Sequence, residues 1–261
     1  MNLKSLGLRT DLIFDRFQGE VRDHGDFIAV RTPVHPEYLW GHRLILPSAP
    51  TNGDFDRWCA LYDHTIGQMG FKVFTWDDVS GYPGDIALFL DAGFKFQRHT
   101  VLTATTVITP PHLSDAFTIR PLSVAGDWDQ YADVHYFEDP RFTPEELRAF
   151  TIGQRDEMRA MVDAGLGRRF GAFQGDRLLA ELGIYWDGEI ARFNTVATRV
   201  EARRQGRLPH TGLSRITLCA RKHALQNAGD HRRYRRPRRA GLSGARIQTY
   251  RRTLQARGDG S

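Results

Sequence analysis

Apolar positions over the first hundred residues recur in short alternating runs, each closed by turn residues, the pattern of brief strands separated by helices. Phe27 to Thr32, Arg43 to Leu46 and Phe71 to Trp76 read as strands, and the alternation resumes from Phe94 to Thr105. Trp58, Leu61, Tyr62 and Ile66 fall at helical spacing behind Asp54, whose short carboxylate suits a helix N-cap. Residues 85–92 form a short helix ahead of Gly93, which stands where a C-cap is expected. The order is βαβαβ-like.

The segment Val107-Ile108-Thr109-Pro110-Pro111-His112 interrupts this pattern, because paired prolines stop regular structure and favour an extended path. The boundary falls there, giving a first unit over 1–108, a second over 109–229 and a tail over 230–261. Phe117 to Leu122 alternates as a strand, and 127–135 is helix-rich. Thr143 can cap a second helix with Pro144 at its first position, continuing as far as Ala164. Residues 170–173, 178–185 and 191–198 then form three strands. They are joined at Gln174-Gly175-Asp176 and Trp186-Asp187-Gly188, where glycine beside Gln or Asp is hairpin chemistry. The fold class is α/β in the broad sense (α+β): two tandem units, each a mixed, mostly antiparallel sheet flanked by helices, followed by an irregular basic tail.

Composition narrows the chemistry. The N-terminus, Met1-Asn2-Leu3-Lys4, carries no apolar secretion core, and no apolar run approaches the ~18 residues that span a bilayer, so a soluble cytoplasmic protein without a membrane partner is expected. Cys59 and Cys219 stand far apart, and the ten histidines include no HExxH pattern, so neither a disulfide framework nor a metal site is expected. The net charge of +5 is unevenly spread: residues 199–261 hold 17 of the 36 basic side chains and 3 of the 31 acidic ones. Such asymmetry is the footprint of an arm that binds a polyanion.

The candidate chemistry lies between Arg192 and Gly206. A strand, Arg192-Phe193-Asn194-Thr195-Val196-Ala197-Thr198, runs through Arg199-Val200-Glu201-Ala202 into Arg203-Arg204-Gln205-Gly206. A loop of backbone N–H groups opening a helix can hold a phosphate, with arginines adding charge-assisted contacts and glycine allowing close approach. This arrangement resembles the GNAT (GCN5-related N-acetyltransferase) superfamily, in which a β-α-α-β-β-β run leads to the acyl-CoA strand and a [Q/R]-x-x-G-x-[G/A] turn. The two units together resemble a tandem GNAT protein whose first half is a degenerate copy. The resemblance implies an acyl-CoA-dependent N-acyltransferase, with acetyl-CoA as donor and a small-molecule or protein amine as acceptor. It implies that Thr195, Val196 and Ala197 pair with the pantetheine arm, that the turn opened by Arg203 and continued by Arg204, Gln205 and Gly206 takes the pyrophosphate, and that the Val196 N–H serves the oxyanion.

The chain departs from the family pattern after Gly206, where Arg207-Leu208-Pro209 stands in place of a small residue and a helix. Helical spacing returns from Leu213 to Leu225. After Gly229 the family has an apolar strand and an Asp-Pro turn, but here Asp230 to Arg239 holds six arginines, which cannot be buried as a strand without partners. Read one base later, codons for 230–237 are compatible with Thr-Thr-Ala-Val-Ile-Ala-Asp-Pro, so the C-terminal region looks frame-shifted. Two other readings stand beside the enzyme: a catalytically impaired GNAT remnant, and a nucleic-acid-binding protein using the basic tail. The latter has few stacking aromatics, Tyr234 and Tyr250, and is the lesser one.

Family members use a glutamate on or beside the acyl-CoA strand as base and a C-terminal tyrosine as acid. The matching strand position is Arg192, which cannot accept a proton. Glu181 and Glu189 are the nearby carboxylates, each read first as an exposed strand or turn residue, and Tyr250 sits in wording similar to the family's tyrosine helix. Glu181 and Tyr250 are therefore the candidate catalytic residues. Trp40, Trp58 and Trp76 are expected to be core or interface aromatics.

Overall fold

The computed structural model describes residues 1–36, 38–104, 117–135, 137, 140, 142–188, 190–203 and 247–257, with 203 and 247–257 described in backbone only. The first helix, α1 (Leu6–Gln18), starts at Ser5, whose hydroxyl accepts from the Leu8 amide at 3.4 Å. The Asp77 carboxylate accepts the amides of Lys4 and Ser5 at 2.6 and 2.8 Å, pinning the same end. This helix, and the short strand β1 (Glu20–Asp23) after it, are elements that the hydrophobic pattern did not announce.

The chain divides into two units, residues 1–105 with 242–261 and residues 106–241. In the first, β2 (Ile28–Arg31), β3 (Arg43–Leu46), β4 (Phe71–Trp76) and β5 (Lys95–Leu102) alternate with α2 (Asp54–Thr65) and α3 (Ala87–Asp91). Strands β3 and β4 are parallel, and the other pairings in this sheet are antiparallel. Both faces are covered, which is why these strands read as nearly continuous apolar runs. Ile28, Val30 and Ile45 pack with Leu8 and Leu12 of α1, while Ala29, Leu44, Phe74 and Trp76 pack with Trp58 and Phe89 on the opposite face. Trp58 and Trp76 are thus core residues, and Trp40 makes an edge contact with His99. Asp54 is the first residue of α2 rather than its cap, and its carboxylate instead accepts from the Thr51 amide at 2.7 Å.

The second unit contains β6 (Thr118–Pro121), α4 (Ala125–Asp129), α5 (Tyr131–Val134), α6 (Pro144–Asp163), β7 (Gly167–Gln174), β8 (Arg177–Asp187), β9 (Ile190–Thr198) and α7 (Val200–Arg203). The helix-rich stretch over 127–135 consists of the two short helices α4 and α5. At the start of α6, Thr143 and Glu146 form a reciprocal capping box: the Thr143 hydroxyl accepts from the Glu146 amide at 3.2 Å, and the Glu146 carboxylate accepts from the Thr143 amide at 2.8 Å. Strands β6 to β9 form an antiparallel sheet in sequence order. Its hairpins turn at Gly175 and Gly188, whose φ of 59° and 57° need the missing Cβ.

The last strand, β10 (Ile247–Arg257), lies between β4 and β5, antiparallel to both, and makes the first sheet six-stranded. An irregular course was expected for these residues. Extended backbone here gives hydrogen-bonding partners to two strand edges at once, which an irregular tail would leave open. Leu254 stands in register with Phe74 on one side and Phe96 on the other. The linker at 107–112, the arginine run and the proposed frame change lie outside the described residues. Among the described residues no helix is long and apolar enough to cross a membrane.

Candidate functional site

Strand β9 is irregular where the sequence placed the acyl-CoA contacts. The β8–β9 register passes from Leu182 opposite Val196 to Gly183 opposite Asn194, leaving Thr195 as an extra residue. Thr195 has φ of 42° and is the one non-glycine residue with positive φ among the described residues. A β-branched residue in the left-handed region costs on the order of 1–3 kcal/mol and persists only where its surroundings hold it.

The ladder also fixes which way the backbone groups of β9 point. The Arg199 amide donates to the Leu179 carbonyl at 2.8 Å, which makes 179/199 a hydrogen-bonded position. Counting along the register, Glu181 and Ala197 fall on the next such position, whereas Ala180 opposite Thr198 and Leu182 opposite Val196 fall between. At those intermediate positions N–H and C=O point away from the partner strand. Among the described residues β9 is an edge strand. The Val196 and Thr198 amides therefore point away from β8, and the Ala197 amide turns inward to it.

Behind the bulge lies a buried charged network. Arg169 on β7 and Glu181 on β8 both have side chains 0% exposed. The Arg169 guanidinium grips the Glu181 carboxylate through Nε, at 2.6 Å, and Nη2. It also donates from Nη2 to the Thr195 carbonyl and from Nη1 to Asn194 Oδ1, each at 3.4 Å. His135, at the end of α5, bonds to Glu181 Oε1 through Nε2. Its ring stacks on Tyr131 at 4.0 Å, and Arg169 lies over the Tyr131 ring at 5.1 Å. The Tyr185 hydroxyl accepts from Arg169 Nη1 at 3.4 Å and donates to the Met158 carbonyl at 3.3 Å.

Glycines make room for this cluster. Across the β7–β8 ladder Arg169 faces Gly183, Glu181 faces Gly171 and Tyr185 faces Gly167, so each large polar side chain lies opposite a residue without one. A Cβ on Gly183 would come within 2.9 Å of Arg169 Nη1, and one on Gly167 within 2.3 Å of the Tyr185 ring. Burial works against ionisation of Glu181, but Arg169 and the His135 bond outweigh it and hold its carboxyl below the usual carboxylate range. An ionised carboxylate can only accept, so His135 carries a proton on Nε2. Burial likewise opposes the Arg169 charge, and Glu181 more than restores it. Burial raises the Tyr131 hydroxyl well above the ordinary tyrosine range and moves the Tyr185 hydroxyl in the same direction.

The candidate residues are thus distributed unevenly. Thr195, Val196 and Ala197 lie together on β9, and Arg203 ends α7 a short step beyond it. Arg204, Gln205, Gly206 and Glu189 lie outside the described residues. Glu181 is the opposite of the exposed strand residue expected: it is fully buried, and Arg169 and His135 occupy its oxygens. Tyr250 stands at the irregularity of β10, on a strand of the first unit rather than on a helix of the second. Arg169, His135 and Tyr131 escaped the sequence reading. Their signal was the spacing of Gly167, Gly171 and Gly183 along the β7–β8 hairpin. The first unit has a cavity of about 420 Å³ lined by Arg22, His24, Phe27, Arg31 and His64. None of those residues has the irregular backbone seen at Thr195.

No protein-family model and no curated protein matches the chain. Among solved structures, a functionally unknown conserved protein from Staphylococcus epidermidis ATCC 12228 superposes with a TM-score of 0.57 at 10% identity, covering 92% of this chain and 95% of its own. A GCN5-related N-acetyltransferase from Kribbella flavida superposes with a TM-score of 0.54 at 13% identity, covering 98% of each chain. The fold is that of the GCN5-related N-acetyltransferases. At such identities the likeness concerns fold alone, and because both alignments run nearly the length of both partners, it takes in both units of the chain.

Proposed function

We propose that this chain is an acyl-CoA-dependent N-acyltransferase that moves an acetyl group from acetyl-CoA to an amine of a small molecule or protein. The observation that carries the reading is the bulged edge strand: Thr195 breaks the β9 ladder while the Val196 amide beside it points away from β8. The pantetheine arm of acyl-CoA contains amide groups and can add to such an edge as a further strand. The Val196 amide, at the bulge, then meets the thioester oxygen. In the transfer the amine nitrogen attacks the thioester carbonyl carbon, the C–S bond breaks, and the proton lost by the nitrogen balances the departing thiolate, so the products are the amide and CoA thiol. Charge builds on the carbonyl oxygen, and a fixed backbone donor stabilises it without reorganising.

Arg203, with Arg204, Gln205 and Gly206 after it, continues from the end of β9 and is suited to the pyrophosphate by charge. Glu181 is not the base in this scheme, because its oxygens are committed to Arg169 and His135 and its affinity for a proton is lowered. Isothermal titration of the full chain with acetyl-CoA tests the reading. Saturable binding is expected, and absence of measurable heat at millimolar ligand refutes it.

A further inference from the structure

The Arg169–Glu181–His135 cluster is left unused by the reaction as described, yet it is expensive. Two fully buried charges are costly to desolvate, and apolar residues of similar size are often as stable in such a place. Its placement suggests what the expense supports. Arg169 is the group that reaches across β8 to the carbonyl of Thr195, the strained residue of β9.

We propose that Arg169 is a positioning residue for acyl transfer, which holds and polarises the Thr195–Val196 peptide so that the Val196 amide is aimed and strengthened as the donor to the thioester oxygen. The inference rests on the acyl-CoA reading above. Two independent lines of geometry support it. A trans peptide sets C=O and N–H in opposite directions, and the described residues contain no cis peptide, so fixing the Thr195 carbonyl toward Arg169 aims the Val196 N–H away from it. The ladder alternation, which does not involve Arg169, points the same N–H away from β8. A cationic donor on the carbonyl oxygen also draws electron density from the amide and makes its N–H a stronger donor, and low local dielectric adds to the effect.

The other members of the cluster act through Arg169. Glu181 fixes the guanidinium in plane by a two-point grip and keeps it protonated in its buried place, and His135 occupies the remaining side of that carboxylate. Gly183 leaves the gap through which the guanidinium passes. Lysine could not take this place: a single ammonium cannot hold Glu181 at two points while also reaching Asn194 and Thr195.

The test uses the full chain and [1-13C]acetyl-CoA, whose carbonyl resonance moves downfield when its oxygen accepts a stronger hydrogen bond. The double variant Arg169→Met/Glu181→Gln removes both charges together and leaves no orphan ion, and Arg169→Lys keeps the charge but not the fork. Wild type is expected to displace the carbonyl resonance downfield on binding. The double variant is expected to bind acetyl-CoA but to lose most of that displacement, and Arg169→Lys to show an intermediate one; if the double variant does not fold, the lysine variant alone decides. A purely structural role would change melting temperature and leave the resonance of bound ligand where wild type has it. Full displacement in a folded variant, or none in wild type that binds, overturns the inference alone. Failure of wild type to bind acetyl-CoA overturns the acyl-CoA reading and this inference with it.

Discussion

Replacing Gly183 by alanine places a methyl group in the gap that Arg169 crosses. The new Cβ would lie 2.8 Å from the Tyr185 ring and 2.9 Å from Arg169 Nη1, closer than real Cβ contacts permit, and 3.1 Å from the Arg169 Cζ, tighter than most. Neither neighbour can swing into solvent, because both are fully buried and both are bonded to other groups. One methyl forced into a filled core costs about 1–3 kcal/mol, and loosening the Arg169–Glu181 grip adds to the upper end. Gly153 in the middle of α6 is the control: its Cβ would meet nothing within 4 Å, so Gly153→Ala is expected to stabilise by about 0.5–1 kcal/mol through helix propensity. Urea unfolding of both variants measures the contrast. A Gly183→Ala stability within about 0.5 kcal/mol of wild type, the range of a neutral surface change, would refute the packing described for the cluster.

Glu181→Gln alone leaves the Arg169 charge buried without its counter-ion and is expected to destabilise the chain by about 3–5 kcal/mol, whereas adding Arg169→Met should recover most of the loss; denaturant midpoints of single and double variants check this. The folded-state carboxyls of Glu181 and Asp127 are both held low, Asp127 chiefly by its Arg120 bond, so the folded chain binds fewer protons than the unfolded one in acid. Their stabilisation is complete above the ordinary carboxylate range and is lost as pH falls through the lower folded values; unfolding free energies between neutral and acid pH should fall less steeply in the double variant. Deleting residues 242–261 removes β10 and opens the facing edges of β4 and β5, so a lower melting temperature and aggregation through those edges are expected. An unchanged melting curve would mean that the tail contributes nothing to the first sheet, as a misframed sequence would.

Much of the second unit was legible because its signals are local. Thr143-Pro144-Glu145-Glu146 specifies a cap, a first-turn proline and a capping box within four residues, and Gly175 and Gly188 mark hairpin turns that need positive φ. The bulge was not legible: Thr195 gives no glycine to announce a left-handed residue, and only the surrounding network keeps it there. Glu181 was misjudged for a related reason. A carboxylate in a strand is ordinarily exposed, and its burial depends on an arginine twelve residues earlier and a histidine forty-six residues earlier. In the first unit, α1 is held by the distant Asp77, and β10 by two strands far away in sequence, so neither could be found by reading neighbours.

The central claim is that the open edge of β9 is an acyl-CoA edge. The most direct measurement is a two-dimensional 1H–15N spectrum of the full chain titrated with acetyl-CoA, followed at the assigned amides of β9 and of the first sheet. The Val196 amide is expected to shift saturably, with the inward-facing Ala197 amide moving less. Shifts absent at millimolar ligand, or confined to the first unit, would contradict it.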